Sequence, residues 1–336
     1  VTASAPPAPQ LRIALISDIQ YANIDDAHDH GGFELRTYAA SLEHTRHAVR
    51  RWRALRPHPA CVLQLGDLID GQNSGSYGQG LRFEAPRSRE ALREALDALH
   101  GAPAPVYHAV GNHELYNFSW DELRAHLNAE RDGVTHVVSR GERFYHSFSP
   151  APGWRVVLLN AYELSEMQPA HLPGRAAAVE LLRARNPNYG IPGRDFFEGL
   201  PPALQRFVPF NGGFGRQQLE WLGDTLSDAA RAGERVCAAS HLPLSPDAAS
   251  HRNLAFDAEE ALALLCARPG LVPVYLAGHR HQGGYARCAG GVHHVTLQAP
   301  LTHGLCDAHL DLFEDRAELV GAGRHRSYSL AFGARG

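Results

Sequence analysis

Five short apolar runs in this 336-residue chain end in the same kind of polar punctuation. Residues 11–17 run into Asp18-Ile19-Gln20, and residues 61–65 into Gly66-Asp67-Leu68-Ile69-Asp70. Residues 105–110 run into Gly111-Asn112-His113-Glu114, residues 235–239 into Ser240-His241, and residues 272–277 into Gly278-His279-Arg280-His281. Apolar runs this short read as strands buried on both faces. In an open α/β sheet, ligands bind beyond the carboxyl ends of the strands. Groups spread from Asp18 to His281 are therefore expected to meet at one edge, and a glycine before Asp67, Asn112 and His279 lets the backbone turn sharply there.

Between these runs the apolar period becomes helical over residues 37–55, 88–99 (with Ser88 as cap), 215–232 and 257–267. Further strands are expected at 154–159, 292–297, 309–313 and 317–320. Strands alternating with helices imply βαβ units and a largely parallel sheet, and the late strands without helices imply a second sheet packed on the first. Residues 1–10, rich in Ala and Pro, read as a flexible tail, and 11–330 as one domain. Within it, 164–212 is rich in Pro, Gly and Asn, too long for a plain connector, and is expected to cover the site.

Hydrophobic residues at 44% suffice for a packed core, and a net charge of −4 without a basic stripe speaks against a nucleic-acid partner. No stretch approaches the length of a membrane span, and no protein partner is indicated. The five cysteines have no tight spacing; Cys61, Cys237 and Cys266 lie in apolar runs and read as small buried hydrophobes. A reducing, cytoplasmic setting is the expectation.

Singly, each polar group has an ordinary explanation. Asp18 or Asp70 serves as a helix cap, His241 as a satisfied histidine, Gly-Asn-His as a turn. Five in order, each offering oxygen or nitrogen ligands, do not arise as independent caps. The ordered set resembles the calcineurin-like metallophosphoesterase superfamily, with D-x-H, G-D-x-x-D, G-N-H-D/E, a later His, and G-H-x-H; Gln20 replaces the first His. The runs Asp18-Ile19-Gln20-Tyr21-Ala22, Gly111-Asn112-His113-Glu114-Leu115-Tyr116-Asn117-Phe118, Phe210-Asn211-Gly212-Gly213-Phe214 and Gly278-His279-Arg280-His281-Gln282-Gly283-Gly284-Tyr285 resemble more narrowly the manganese-dependent ADP-ribose/CDP-alcohol diphosphatases, which also carry that Gln.

The resemblance implies a four-layer αββα sandwich of two mixed sheets flanked by helices. It implies one metal on Asp18, Gln20, Asp67 and His281 and a second on Asp67, Asn112, His241 and His279. Carboxylate, amide and imidazole ligands without thiolate suit Mn²⁺ and tolerate Mg²⁺, Fe²⁺ or Zn²⁺. Two divalent ions against two carboxylates leave a positive centre that favours a phosphate substrate. His113 is the expected catalytic group, touching phosphate oxygen or protonating the leaving group, or else it holds Asn112. Asp70 and Glu114 are expected to orient ligand histidines.

Phe210 and Phe214 read equally as a base-stacking wall or as packing at the head of the following helix. Tyr116, Phe256 and Tyr285 are further wall candidates, and His30 stands where the family offers an aromatic. The implied reaction is cleavage of a nucleotide diphosphate, namely ADP-ribose or a CDP-alcohol. A phosphomonoesterase or cyclic-nucleotide phosphodiesterase on the same centre is the alternative.

Overall fold

The computed structural model describes residues 7–29, 32–75, 86–131 and 133–333. Two mixed sheets face each other. The eight-stranded sheet runs, in spatial order, Tyr328–Ala331, Arg316–Gly321, Ala308–Leu312, Leu11–Ile16, Cys61–Gln64, Val106–His108, Val134–Val137, Ala129–Arg131. The six-stranded sheet runs Gln282–Arg287, His293–Gln298, Val274–Ala277, Arg235–Ala239, Trp154–Leu158, His146–Ala151. In each sheet the central strands are parallel and the outer ones antiparallel.

Side-chain alternation along the strands builds the layers. Leu11, Ile13 and Leu15 join Val156, Leu158, Cys237 and Leu276 in the core between the sheets. Ala14, Ile16 and Val62 instead share an apolar cluster with Trp52 and Leu92 from the helices Ser41–Ala54 and Ser88–Ala98. On the other sheet, Val157, Val236 and Tyr275 belong with Leu222, Leu226 and Leu265 from Gly215–Arg231 and Ala258–Cys266. Both faces of each central strand are therefore covered, which is why those strands read as unbroken apolar runs. The result is the four-layer αββα sandwich.

Some boundaries differ from expectation. The first helix begins at Ser41 because residues 38–40 form a turn and Thr37 is tied to the Leu301 carbonyl through its N–H and hydroxyl. Ser88 is the first helical residue and not the cap; its hydroxyl donates to Asn117 Oδ1 at 2.7 Å. Asp257 likewise faces away from its own helix and accepts from the N–H groups of Phe214 and Gly215. The segment 164–212 contains an unforeseen helix, Pro173–Arg185, which starts on a proline and buries only Ala178 and Leu182. A stripe that narrow leaves almost no periodic signal. Among the described residues, no helix is long and apolar enough to cross a membrane.

Candidate metal centre

Backbone strain marks one edge of the sandwich. Among the described residues, the non-glycine residues with left-handed φ are Asp18 (53°), Gln20 (43°), Asp67 (56°) and His279 (66°). Such conformations cost on the order of 1–3 kcal/mol each and persist only where the surroundings impose them. Here the turns bind one another. Asp18 N–H donates to Gly66 O, Gln20 N–H to Asp67 O, Asp67 N–H to Glu114 Oε2, and His279 N–H to the Asp18 carboxylate. The approach is close enough that a Cβ on Gly111 would strike the Asp67 side chain, and one on Gly278 would strike Ser17 Oγ and Asp18 Oδ2.

The fold brings together Asp18, Gln20, Asp67, Asn112, His241, His279 and His281. His241 Nδ1 lies 2.7 Å from the Leu65 carbonyl, which can only accept, so Nδ1 carries the proton. Its Nε2 therefore turns inward, 3.3 Å from Asp67 Oδ2, 3.3 Å from Asn112 Oδ1 and 3.2 Å from His279 Nδ1. His279 Nε2 lies 2.9 Å from Asn211 Oδ1. The Asn211 amide nitrogen donates to the carbonyls of Arg206 and Arg252, which fixes its oxygen as the acceptor toward His279. His279 Nδ1 is thus also an inward lone pair. Tyr162 OH donates to Asn112 Oδ1 at 3.2 Å. Ligand atoms of Asp67, His241 and His279 lie within 4.8 Å of one another. Lone pairs gathered this closely repel unless a cation or a proton sits among them. Burial alone would lower the His241 pKa, but the Asp67 carboxylate reverses this and raises it to about 9. His279, buried beside His241, is pushed well below the usual imidazole range.

A second acceptor face adjoins the first. The Gln20 amide nitrogen lies 3.0 Å from both Asp67 Oδ2 and His281 Nε2, while Gln20 Oε1 is buried without a partner. Turning the amide over would put oxygen beside Asp67 Oδ2 and His281 Nε2, an arrangement only a cation makes favourable. His281 Nε2 lies 3.8 Å from Asp18 Oδ1. Its Nδ1 faces Glu34 Oε2 at 3.4 Å, and the hydrogen bond to His281 holds the Glu34 carboxyl down to about 2. Both faces therefore fit divalent ions held by oxygen and imidazole nitrogen.

His113 N–H donates to Asp67 Oδ1 at 2.9 Å, and its Nδ1 accepts from Gly71 N–H at 2.8 Å. The ring proton is then on Nε2, which points into the cluster 4.0 Å from Asp67 Oδ2. Burial lowers the His113 pKa, and Asp67 and Asp70 together raise it past that loss.

The expected roles of Asp70 and Glu114 need correction. Asp70 caps Gln72 N–H and lies 3.3 Å from His113 Nδ1, not beside one of the expected ligand histidines. Glu114 accepts from the N–H groups of Asp67, Leu68 and Gly111, so it staples the Gly66-Asp67 and Gly111-Asn112 turns to each other, in place of orienting a histidine.

The wall candidates separate. The half-buried Phe210 ring lies 6.3 Å from His279 and from Phe197, and Tyr116 lies edge-on to His113 at 5.2 Å. Phe214 is fully buried in the core, and its N–H at the helix start donates to Asp257 Oδ1. Phe256 is buried against Phe207 in a small cluster with Ala178 and Leu182. Tyr285 stacks on Tyr328 and binds His293 at the sheet edges, not at the metal cluster. These three are structural residues. His30 lies outside the described residues. Sequence reasoning missed Asn211, Glu34 and Tyr162 as positioning groups. Asn211 stood inside Phe210-Asn211-Gly212-Gly213-Phe214, read there for its aromatics, and nothing marked the other two.

The sequence model of the family described as calcineurin-like phosphoesterase matches residues 11–283. The chain belongs to this family. The phosphoesterase is 36% identical over 342 residues to the manganese-dependent ADP-ribose/CDP-alcohol diphosphatase of Danio rerio, covering 96% of this chain and 99% of that one. The enzyme of the same name from Bos taurus is 35% identical over 324 residues, covering 92% of this chain and 90% of its own. The crystal structure of a dimetal phosphatase from Danio rerio superposes with a TM-score of 0.83 at 33% identity, covering 97% of this phosphoesterase and all of that chain.

Proposed function

We propose that this phosphoesterase hydrolyses the diphosphate bridge of ADP-ribose and of CDP-alcohols such as CDP-choline and CDP-glycerol. The products are a nucleoside monophosphate and a phosphorylated partner, and the ions are two divalent metals, manganese before magnesium, iron or zinc. The observation that carries this reading is the match to curated diphosphatases over more than nine-tenths of the chain, segment 164–212 included.

Asp18, Gln20, Asp67 and His281 would hold one ion, and Asp67, Asn112, His241 and His279 the other. When bound, such a pair polarises phosphoryl oxygens and acidifies a water near neutral pH. The chain's own groups do the rest. Leu65 O, Asn211 and Glu34 engage the outward ring nitrogens of His241, His279 and His281, so the inward nitrogens are the ones that would be left to the ions. His113 presents its Nε2–H to the cluster, where it donates to a phosphate oxygen or to the leaving group. Segment 164–212 forms one wall, with Phe210 offering a ring to the base.

The test is turnover by the purified protein with Mn²⁺ and with Mg²⁺ on ADP-ribose, CDP-choline, a phosphomonoester and a cyclic nucleotide. Release of AMP and CMP, faster with Mn²⁺, is expected. Cleavage of the monoester or the cyclic nucleotide while both diphosphates survive would overturn the assignment.

A further inference from the structure

We propose that Cys266 and Cys288 form a reversible disulfide, a redox modification site remote from the metal cluster. Their Sγ atoms lie 3.3 Å apart. Cys266 ends the helix Ala258–Cys266, and Cys288 stands in the turn between Gln282–Arg287 and His293–Gln298. Cys288 N–H donates to Val292 O, and Gly291 N–H to Cys288 O, so that turn is closed on itself. A Cβ on Gly290 would stand 2.5 Å from both Cys266 Cβ and Cys266 Sγ, so the missing side chain is what lets the helix end settle against the hairpin.

Access separates this pair from the other thiols. Cys61, Cys237 and Cys306 are buried, whereas Cys266 and Cys288 are half-buried. The sequence reading of Cys266 as a small buried hydrophobe is therefore incomplete. The hairpin strand Gln282–Arg287 is an edge of the six-stranded sheet and begins directly after His281. A covalent link would tie the far end of that edge strand to a helix of the outer layer.

The oxidant is a low-molecular-weight disulfide. Burial, and the hydrogen bond to Cys288, push the Cys266 thiol up to about 12, which leaves the first attack to Cys288. The Cys288 thiolate attacks one sulfur of the small disulfide, forming a mixed disulfide and expelling one small thiolate. Cys266 then loses its proton to solvent and attacks Cys288 Sγ, expelling the second. The protein gives up two electrons and two protons, and one small disulfide becomes two thiols.

The experiment incubates the full chain with oxidised glutathione and reads intact mass, free-thiol count and a peptide map. The expected product has lost the mass of two hydrogens and titrates three thiols in place of five. It carries a Cys266–Cys288 cross-link, and dithiothreitol restores the starting mass. Cys288→Ser should lose the cross-link, and Cys306→Ser should keep it. Five titratable thiols after treatment, glutathione retained without a cross-link, or a cross-link surviving in Cys288→Ser would each overturn the proposal.

Discussion

Asp18, Asp67 and His279 follow strands covered on both faces, whereas Phe210 and Asn211 come from an irregular segment whose apolar cluster is Ala178, Leu182, Phe207 and Phe256. The first region is placed by the sheets. Each turn there is fixed by hydrogen bonds to the next, so one displaced turn displaces its neighbours. The second region is placed by a short helix, a few turns and the carbonyls that hold Asn211. Phosphoester chemistry needs ligands fixed within fractions of an ångström, which suits strand ends. Recognition of the rest of a substrate tolerates a less rigid frame. His279 is the seam, with its ring in the cluster and its Nε2 on Asn211.

The sharpest way to break this contrast is Asp67→Asn. If the strand ends form a single cooperative cluster, turnover falls by more than about a hundredfold, since even the partners of metal ligands cost ten- to a hundredfold. Metal analysis should show fewer than two Mn²⁺ per chain. Retention of two equivalents would mean that Asp67 does not bridge. Next comes Asn211→Leu, which probes the seam. Mn²⁺ titration should show affinity weakened by about tenfold or more for one ion only. An unchanged titration would sever the wall from the cluster.

Two phenylalanines sharpen the comparison further. Phe210→Ala removes a stacking surface of about 1–3 kcal/mol, so KM should rise about tenfold with the melting temperature unchanged. Phe214→Ala should do the reverse, removing about 3–5 kcal/mol of stability with KM nearly intact. Equal effects on KM would return Phe214 to the wall. The smallest effect concerns histidines far from the cluster. Burial lowers His136, His146, His294 and His309 to about 4. They are neutral in the folded chain and take up protons only on unfolding once the pH drops below the free imidazole value. The contribution of these four histidines to the stability of the metal-free protein should therefore be full above about pH 6.5 and decline progressively toward about 4. Thermal melts across that range would show it, and a flat profile would refute it.

The legible part of the molecule was the part built by strands. Asp18, Asp67, Asn112, His241 and His279 each follow an apolar run with a fixed polarity pattern, and the parallel order of those runs placed them at one edge. Phe210 and Phe214 show where that reasoning stops. They share one five-residue motif, yet one ring flanks His279 and the other is buried in the core, and the Asp257 carboxylate that accepts from the Phe214 and Gly215 N–H groups lies more than forty residues further along the chain. Glu34 was invisible for the same reason. Its partner His281 is distant in the chain, and no local pattern marks a carboxylate that acts on a remote ring.

The left-handed conformations of Asp18, Gln20, Asp67 and His279 set thermal robustness against turnover at the same positions. Glycine would relax each of them at the price of the functional side chain. Variants selected only for soluble expression should therefore accumulate glycine or asparagine at these four sites. A chain of this architecture that has done so is best regarded as a retired enzyme, however well it folds.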